Sequence, residues 1–323
     1  MSLPNRPLRI GTRGSALARW QTERIRSLLA AAGSSAEPVE IKTTGDLTPD
    51  VPLSRIGSRA LFTKQIDDAL LAGRIDLAVH SLKDLPTRLP DGIVIGAVGE
   101  REDPRDALVG RSSISWEALP RGAILATSSL RRRAQMLYHR PDLRVVDIRG
   151  NVDTRLAKLA ANADWSGIVL AAAGLVRLGA ENRIGERLSP DLLLPAPGQG
   201  ALAITVRADD ESVLRLVRSV LHNHGTALPI SAERAFLARL EGGCQVPIAA
   251  YAERQGAGGD MLLHGRVIAA DGRTLIEGRQ RRAVSGEADA RELGSTLADE
   301  LLGQGAGDIL AQARAGVPAI SEP

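Results

Sequence analysis

The sequence predicts an α/β protein made of two successive strand–helix units and a C-terminal α+β unit. Short apolar runs alternate with helical patterns over residues 8–98, and the alternation restarts after EREDPRD at residues 100–106. Alternating strands and helices are typical of parallel sheets covered by helices. From about His222 the pattern changes to consecutive strands followed by a long helical stretch.

The first unit contains four apolar runs that predict strands. They are LRIGT (8–12), VEIKTT (39–44), IDLAVHS (75–81) and GIVIGAV (92–98). Two stretches between them, residues 16–33 and 61–73, have helical periodicity and end at Gly33 and Gly73. Glycine is common just after the last helical residue, so both stretches are predicted to be helices.

The second unit repeats this architecture without a detectable sequence repeat. Strands are predicted for AILAT (123–127), LRVVDIRG (143–150) and GIVLAAAG (167–174), with helices over 129–140 and 152–163. The segment LLLPAPGQGALAITVR (192–207) predicts a crossing followed by a strand, which could return the chain to the first unit.

The third unit is predicted to begin with a helix over 230–243. Strands follow at 245–253, 261–270 and 274–284, with a hairpin turn at Asp271-Gly272, and a long helical pattern covers 288–315. These elements predict an α+β domain.

Composition limits the possible functions. Aromatic residues make up 2% of the chain and the net charge is +3, which argues against a nucleic-acid-binding surface. The single cysteine, Cys244, cannot form an internal disulfide and is typical of a reducing, cytoplasmic setting. The N-terminus lacks the apolar stretch of a signal peptide, and no run of about 18 apolar residues predicts a membrane span.

Arginines follow several predicted strands at the point where the next helix begins. They are Arg13, Arg131, Arg132, Arg149 and Arg155. A cation opposes the positive end of the helix dipole, and ligands of open α/β sheets bind beyond the carboxyl ends of the strands. Since arginine matches carboxylate geometry, the pattern predicts a cleft for a ligand with many carboxylates. Any one of these arginines could instead be a solvated residue paired with a local acid.

Two further residues have open interpretations. Asp84, in HSLKDLP, could be an ion-pair partner of the neighbouring bases, or an acid that stabilises a cation during a reaction. Cys244, in EGGCQVP, could be a small buried residue, or an exposed and reactive thiol on a glycine-rich turn. The irregular segment 43–61 predicts either a plain surface loop or a mobile functional one. The five histidines have no metal-ligand spacing, so no metal is expected.

Eight segments, in this order and spacing, resemble the porphobilinogen deaminase family. They are LRIGTRGSALA, VHSLKDLPT, EREDPRDAL, TSSLRRRAQ, RPDLRVVDIRGNVDTRL, AAAGLVRLG, LPAPGQGALAI and AERAFLARLEGGCQVPIAAYA. The resemblance covers the chain up to about residue 280.

The resemblance implies an α/β fold of two lobes like those of type II periplasmic binding proteins, with the active site in the cleft between them. Lobe 1 would comprise residues 1–100 and 200–220, and lobe 2 residues 101–199. A C-terminal α+β domain, residues 221–323, would carry the cysteine.

The resemblance also implies the reaction. Four porphobilinogen molecules, each losing ammonia, are joined stepwise to a dipyrromethane cofactor held by a thioether to Cys244, and water releases the tetrapyrrole hydroxymethylbilane. Asp84 matches the catalytic aspartate, which holds pyrrole N–H groups and stabilises positive charge on the ring.

Other site residues are implied by the same match. Those expected to hold the cofactor are Ser81, Lys83, Thr127, Ser128, Ser129, Arg131, Arg132 and Gly150. Those expected to bind substrate and the growing chain are Arg13, Ser15, Arg149, Arg155, Arg177 and Gln199. A mobile loop would contribute Arg55, Arg59 and Phe62, although Gly57-Ser58-Arg59-Ala60 departs from the glycine- and lysine-rich run common in the family.

The resemblance favours a cytoplasmic monomer that contacts neither nucleic acid nor membrane and passes its product to uroporphyrinogen-III synthase. Two rival functions are a non-catalytic polycarboxylate-binding protein that uses the same two-lobed cleft, and a nucleic-acid binder that uses the Arg131–Arg133 cluster. Simple capture of a carboxylate ligand needs neither Asp84 nor Cys244. Low aromatic content and modest net charge argue against the nucleic-acid binder.

Overall fold

A computed structural model describes residues 6–43, 63–241, 246–256 and 259–315. It contains two five-stranded sheets and one three-stranded sheet, each packed with helices, which confirms the predicted class of two α/β units followed by an α+β unit.

The first sheet, with its helices, forms lobe 1. Its strands have the order β2-β1-β3-β10-β4. They are β1 (Leu8–Thr12), β2 (Ala36–Glu40), β3 (Leu77–Ser81), β4 (Ile93–Val98) and β10 (Leu202–Arg207). The helices are α1 (Ala16–Ala31), α2 (Lys64–Leu71) and α6 (Glu211–Leu221). One apolar cluster packs α1 and α6 against the sheet, and a separate cluster packs α2 against it.

The second sheet forms lobe 2, and its strands have the order β7-β6-β8-β5-β9. They are β5 (Asp106–Val109), β6 (Ile124–Ala126), β7 (Arg144–Val146), β8 (Gly167–Ala171) and β9 (Glu186–Arg187). The helices are α3 (Leu130–His139), α4 (Val152–Ala161) and α5 (Ala172–Arg177). None of the described helices of the protein combines the length and apolar character needed to cross a lipid bilayer.

The third domain is an antiparallel meander with three helices. Its strands are β11 (Ile248–Gln255), β12 (Asp260–Ile268) and β13 (Leu275–Ala283), and its helices are α7 (His224–Arg239), α8 (Glu287–Gly303) and α9 (Ala306–Ala315). Phe236, fully buried on α7, belongs to the core cluster of this domain. The predicted turn at Asp271-Gly272 joins β12 to β13, and Gly272 has a φ of +76°.

Several predicted elements differ in extent from those observed. The second strand covers Ala36–Glu40 instead of 39–44, because its register pairs it with all of β1 and its edge position tolerates Pro38. Helix α7 begins at His224 instead of residue 230, because the Asn223 side chain caps it by accepting from the Thr226 N–H. The long C-terminal pattern forms two helices, separated at Gly305 with a φ of +100°.

Four elements had not been predicted: β5, β9, α5 and α6. The strand predicted over 167–174 ends at Ala171, and its last three residues belong to α5. Strand β5 is only four residues long and runs antiparallel to β8, so the search for strand–helix repeats missed it. Its position matters for the site, since its first residue is Asp106.

Candidate active site

The predicted site residues lie at corresponding edges of the two sheets. In each lobe the parallel strands end at this edge: β1 and β3 in lobe 1, and β6, β7 and β8 in lobe 2. One antiparallel strand of each sheet begins there, because Leu202 of β10 pairs with Ser81 and Asp106 of β5 pairs with Ala171. The ends of β3 and β8 therefore lie beside the beginnings of β10 and β5, respectively.

Two crossing segments join the lobes and pair with each other. The Gly99 N–H donates to Leu202 O and the Glu102 N–H to Gly200 O, both at 3.0 Å. Gly200 has a φ of +91°, and a Cβ there would lie 2.2 Å from the Glu102 carbonyl oxygen. Glycine is thus required for this close approach, which brings Gln199 and Asp106 side by side.

Asp106 is the centre of a buried ionic cluster in lobe 2. The carboxylate is fully buried and accepts from Arg131 Nη1 at 2.7 Å and from Arg132 Nε and Nη2 at 3.0 and 2.7 Å. Burial acts to raise the pKa of Asp106, but the two guanidinium groups hold it well below its usual range. Both arginines are 5% exposed, so the alternative that they are solvated surface residues is wrong for this pair.

The two arginines present different edges to Asp106. Arg132 uses its Nε and Nη2 fork, while its Nη1 donates to Val169 O at 2.9 Å. The hydrogen bonds of Arg131 to described residues leave from Nη1, towards Asp106 and Leu194 O. The fork edge of Arg131 is therefore the one that remains for a carboxylate ligand.

Gln199 links this cluster to lobe 1. Its Nε2 donates to Asp106 Oδ1 at 2.9 Å and to Pro104 O at 2.7 Å, and its Oε1 accepts from Lys83 Nζ at 3.2 Å. The Gln199 amide is thus engaged inside the protein. Burial, and then the charge of Arg132, lower the pKa of Lys83 to about 8.

Asp84, Arg149 and Arg155 form the more open part of the site. Asp84 lies in a short 3₁₀ turn, Leu82–Asp84, directly after β3. Burial, then Arg132 and Arg149, lower the pKa of Arg155 to about 10, whereas Asp84 acts in the opposite direction. Asp84 of lobe 1 therefore lies within electrostatic reach of lobe 2. It is exposed and forms no salt bridge with the described residues.

Arg149 and Arg155 follow β7, and neither guanidinium forms a salt bridge with an acid among the described residues. Arg155 Nε donates to Gly150 O at 2.8 Å. Arg149 Nη1 is buried and has no hydrogen-bond partner among the described residues. Gly150 has a φ of +112°, and a Cβ there would lie 2.7 Å from the Thr154 side chain, so a side chain at this turn would be strained.

Hydroxyl side chains shape the beginning of α3. The buried Thr127 Oγ1 accepts from the Ser129 N–H at 3.2 Å, and Ser129 Oγ caps the helix by accepting from the Arg132 N–H at 3.4 Å. Ser128 Oγ donates to Ile148 O and accepts from the Ile148 N–H, which ties the end of β6 to β7. Ser129 Oγ donates to no acceptor in the part of the chain that is described, so its proton is available to a ligand, whereas Ser128 Oγ both donates and accepts.

The corresponding edge of lobe 1 carries Ser15, Arg13 and Ser81. Ser15 caps α1, and Ser81 Oγ accepts from Gln21 Nε2 at 2.9 Å. Burial, and then the charge of Arg13, lower the pKa of His80 to about 4, so Arg13 lies near the end of β3. Ser81 directly precedes the turn that carries Lys83 and Asp84, and Arg13 lies near the same strand end.

Arg177 lies at the junction of the lobes and is not tied electrostatically to the Asp106 cluster. Its Nη2 donates to Gly200 O at 2.6 Å, and its guanidinium lies 5.8 Å from the centre of the Trp20 ring. Burial lowers the pKa of Arg177. The side chain joins α5 of lobe 2 to the crossing segment and to α1 of lobe 1.

The third domain holds the crossing segments and the turn after Asp84. Glu233 of α7 is fully buried, pairs with Arg101 at 2.6 Å and accepts from the Gly198 N–H at 2.7 Å. Arg234 donates to the carbonyl oxygens of Pro86 and Thr87 at 2.7 and 3.2 Å. The third domain therefore helps to position the segment that carries Lys83 and Asp84.

Four predicted site residues lie outside the described residues: Cys244, Arg55, Arg59 and Phe62. Their roles stay predictions. Among the described residues, no group of three or more His, Cys, Asp or Glu side chains is arranged to hold a metal ion.

Sequence reasoning missed Asp106, Arg101, Glu233 and Arg234. Asp106 stands in the EREDPRDAL segment, directly before an apolar run. Asp106 could have been recognised as the partner of Arg131 and Arg132 only if the direction of β5 had been known.

The fold and the charges define a two-lobed α/β protein with a cation-lined edge in each lobe. Two α/β lobes meet at edges lined by cations, with one exposed carboxylate among them, an arrangement suited to chemistry on a ligand that carries several carboxylates. The family model for "Porphobilinogen deaminase, dipyromethane cofactor binding domain" matches residues 8–215, and that for "Porphobilinogen deaminase, C-terminal domain" matches residues 227–303. The chain belongs to the porphobilinogen deaminase family, whose activity is that of a transferase, hydroxymethylbilane synthase.

Curated relatives match nearly the whole chain. The porphobilinogen deaminase of Rubrobacter xylanophilus is 52% identical over 302 residues, 93% of this chain and 95% of the relative. That of Roseiflexus sp. (strain RS-1) is 50% identical over 304 residues, 94% of this chain and 98% of the relative. The match confirms the family predicted from the sequence motifs.

Solved structures with a similar fold are more distant. A periplasmic substrate-binding protein of an ABC transporter from Coxiella burnetii has a TM-score of 0.44 and 16% identity, covering 70% of this chain and 96% of that one. A putative methionine-binding lipoprotein from Bacillus subtilis has a TM-score of 0.42 and 12% identity, covering 68% of this chain and 92% of that one.

Proposed function

We propose that the edge shared by the two lobes is the active site for porphobilinogen condensation, and that Asp84 is its catalytic carboxylate. The observation that carries this proposal is the position of Asp84. It is exposed and forms no salt bridge with the described residues, although Lys83 and Arg155 bring positive charge near it from both lobes. A carboxylate left free among cations is available to a ligand.

The role of Asp84 follows from the chemistry of porphobilinogen. Loss of ammonia from the aminomethyl arm leaves positive charge on the pyrrole ring. The Asp84 carboxylate accepts hydrogen bonds from pyrrole N–H groups and stabilises that charge, and it takes up the proton released when the new bond forms.

The donor set fits a dipyrromethane cofactor, whose rings each carry an acetate and a propionate. Lys83, the free edge of Arg131 and the Ser129 hydroxyl hold these carboxylates, with Ser81, Thr127, Ser128, Arg132 and Gly150 shaping the surroundings. When bound, the cofactor supplies the pyrrole carbon to which substrate is joined. We propose attachment through the sulfur of Cys244.

Incoming substrate and the growing chain use the open part of the site. The buried Nη1 of Arg149, which has no partner among the described residues, supports carboxylate binding there, because an unsatisfied buried donor costs free energy until a ligand accepts from it. Arg155, Arg13 and Ser15 assist. Arg177 and Gln199 act by holding the crossing segments.

The setting of the enzyme is also a proposal, and it rests on family membership. We propose a cytoplasmic monomer that passes hydroxymethylbilane to uroporphyrinogen-III synthase. The single cysteine of the chain is typical of the reducing environment that this location provides.

Intact mass measurement tests covalent attachment. Protein expressed with porphobilinogen available should weigh more than its sequence by about two pyrrole units. The Cys244→Ser variant should have the bare mass, as should wild type from cells that make no porphobilinogen. A wild-type mass equal to that of the bare chain under all conditions would refute attachment.

Replacement of Asp84 tests catalysis. Asp84→Ala should retain the fold and the covalent adduct, while kcat falls by about 100- to 1000-fold, the usual effect of removing one charge-stabilising group. Asp91→Ala, which changes another exposed aspartate of lobe 1, is the matched control and should have wild-type kcat. Normal turnover by the Asp84 variant would remove this residue from the mechanism.

A further inference from the structure

Asp106 is not among the residues that were predicted to contact a ligand. It accepts four hydrogen bonds from three side chains, namely Arg131, Arg132 and Gln199. It is fully buried, so it is not positioned to act as a solvent-exposed general base. Its contacts are to side chains that themselves lie beside the site.

The cluster would be unstable without this acid. Arg131 and Arg132 are neighbours in sequence and both are 5% exposed, so their positive charges repel one another in a poorly solvated region. Burial lowers the pKa of Arg131, and Asp106 acts in the opposite direction. One carboxylate bonded to both guanidinium groups offsets the repulsion and fixes each side chain in one orientation.

The cluster also extends across the lobe boundary. Gln199 Nε2 donates to Asp106 Oδ1, while its Oε1 accepts from Lys83 Nζ at 3.2 Å. The orientation of the amide is set by Asp106 and Pro104 O, which both require the NH₂ group on their side. The oxygen therefore points towards lobe 1 and holds the Lys83 ammonium.

We propose that Asp106 is a positioning residue that sets the cofactor-binding cations in place before the ligand arrives. It fixes Arg131 and Arg132 directly and Lys83 through Gln199, so that Arg131 and Lys83, one from each lobe, are available to the ligand with little rearrangement. Preorganisation of this kind strengthens binding because fewer side chains must be ordered by the ligand. The inference rests on the proposed function of the site.

Asp76 provides a matched control at the other end of lobe 1. This aspartate, directly before β3, is 3% exposed and is bonded by Arg6 and Arg9, with distances of 2.7 Å to Arg6 Nη1 and 3.0 Å to Arg9 Nη2. Asp106→Asn and Asp76→Asn thus each remove the charge of a buried aspartate held by two arginines, but only the first lies at the site.

The experiment uses wild type and both variants prepared in cells that make no porphobilinogen. Each is mixed with porphobilinogen, the mass increase is followed with time, and binding of porphobilinogen is measured by calorimetry. Asp106→Asn should form the adduct at least about tenfold more slowly and bind at least about tenfold more weakly, the effect of one charged hydrogen bond. Asp76→Asn should match wild type in both, although both variants melt at lower temperature.

Equal loading and affinity in folded Asp106→Asn and wild type would overturn the inference, as would equal losses in the two variants, which would indicate a merely structural role. If Asp106→Asn does not fold, Asp106→Glu keeps the charge and displaces the guanidinium groups. Slower loading by folded Asp106→Glu supports the inference and wild-type loading overturns it. Failure of wild type itself to gain mass refutes covalent attachment instead, and the calorimetric comparison still decides the role of Asp106.

Discussion

Lobe 2 contains two pairs of arginines that differ in what balances their charge. Arg131 and Arg132 are held by the buried carboxylate of Asp106. Arg155 is held by a main-chain carbonyl, and Arg149 Nη1 has no hydrogen-bond partner among the described residues. Both pairs follow strands of one sheet, so their difference comes from the neighbouring chain and not from their own sequence pattern.

The difference suggests two uses of the same side chain. A pair with its own counter-ion is stable and ordered without a ligand, which suits a group that stays bound. A pair that forms no salt bridge with an acid among the described residues leaves positive charge that a ligand can balance, which suits substrate that arrives and moves on. We therefore propose that the first pair binds the cofactor and that the second binds porphobilinogen transiently.

The largest expected effect concerns the pair without an acid. Arg149→Ala and Arg155→Ala should each lower kcat/KM by about 10- to 100-fold, because each removes charged hydrogen bonds to carboxylates. Intact mass should show that both variants keep the adduct. Arg140→Ala, which removes an arginine of lobe 2 paired with Asp142, is the control and should retain full activity. Loss of the adduct in the first two variants would break the comparison.

The second largest effect concerns the ionisation of Lys83 and its consequence for porphobilinogen binding. Its pKa of about 8 lies below the ordinary value, so the ammonium is charged at pH 7 and largely neutral at pH 9. Cofactor-free protein should therefore bind porphobilinogen about tenfold more weakly at pH 9, by the loss of one charged hydrogen bond. Calorimetry at both values tests this, and Lys83→Met should remove most of the change.

The lowered pKa of Lys83 also affects the stability of the fold, which should increase with pH while porphobilinogen binding weakens. Between about pH 8 and the ordinary lysine value, the unfolded chain binds more protons at this residue than the cofactor-free native protein. The Lys83 contribution to the free energy of unfolding should therefore increase as the pH rises through this window. Urea titrations of wild type and Lys83→Met would measure it, and identical pH slopes would contradict it.

The smallest effect concerns salt. Because screening acts on accessible charges more than on buried pairs, raising the ionic strength from 0.05 to 0.5 M should increase KM by about two- to threefold. The rate at which cofactor-free protein gains the adduct should change less over this range, because the Arg131 and Arg132 charges are buried and paired with Asp106. An equal salt dependence of adduct formation and of KM would place the two pairs in the same class and remove the distinction between them.

The sequence was sufficient for the α/β class and for the family, because hydrophobic periodicity and the motifs are local. It also indicated the arginines at the ends of β6 and β7 and the acid after β3. It gave wrong limits where the register decided them, as in β2, and where a cap decided them, as at Asn223 before α7.

The tertiary structure alone decided which of these charges are balanced. An apolar run indicates a strand but not its direction, and only the antiparallel course of β5 and β10 brings Asp106 and Gln199 to the edge where the other strands end. Asp106 is 25 residues from Arg131 and 93 from Gln199 in the chain. Because burial and a charge partner depend on such distant neighbours, the same arginine pattern in the sequence produces one compensated pair and one uncompensated pair in the folded protein.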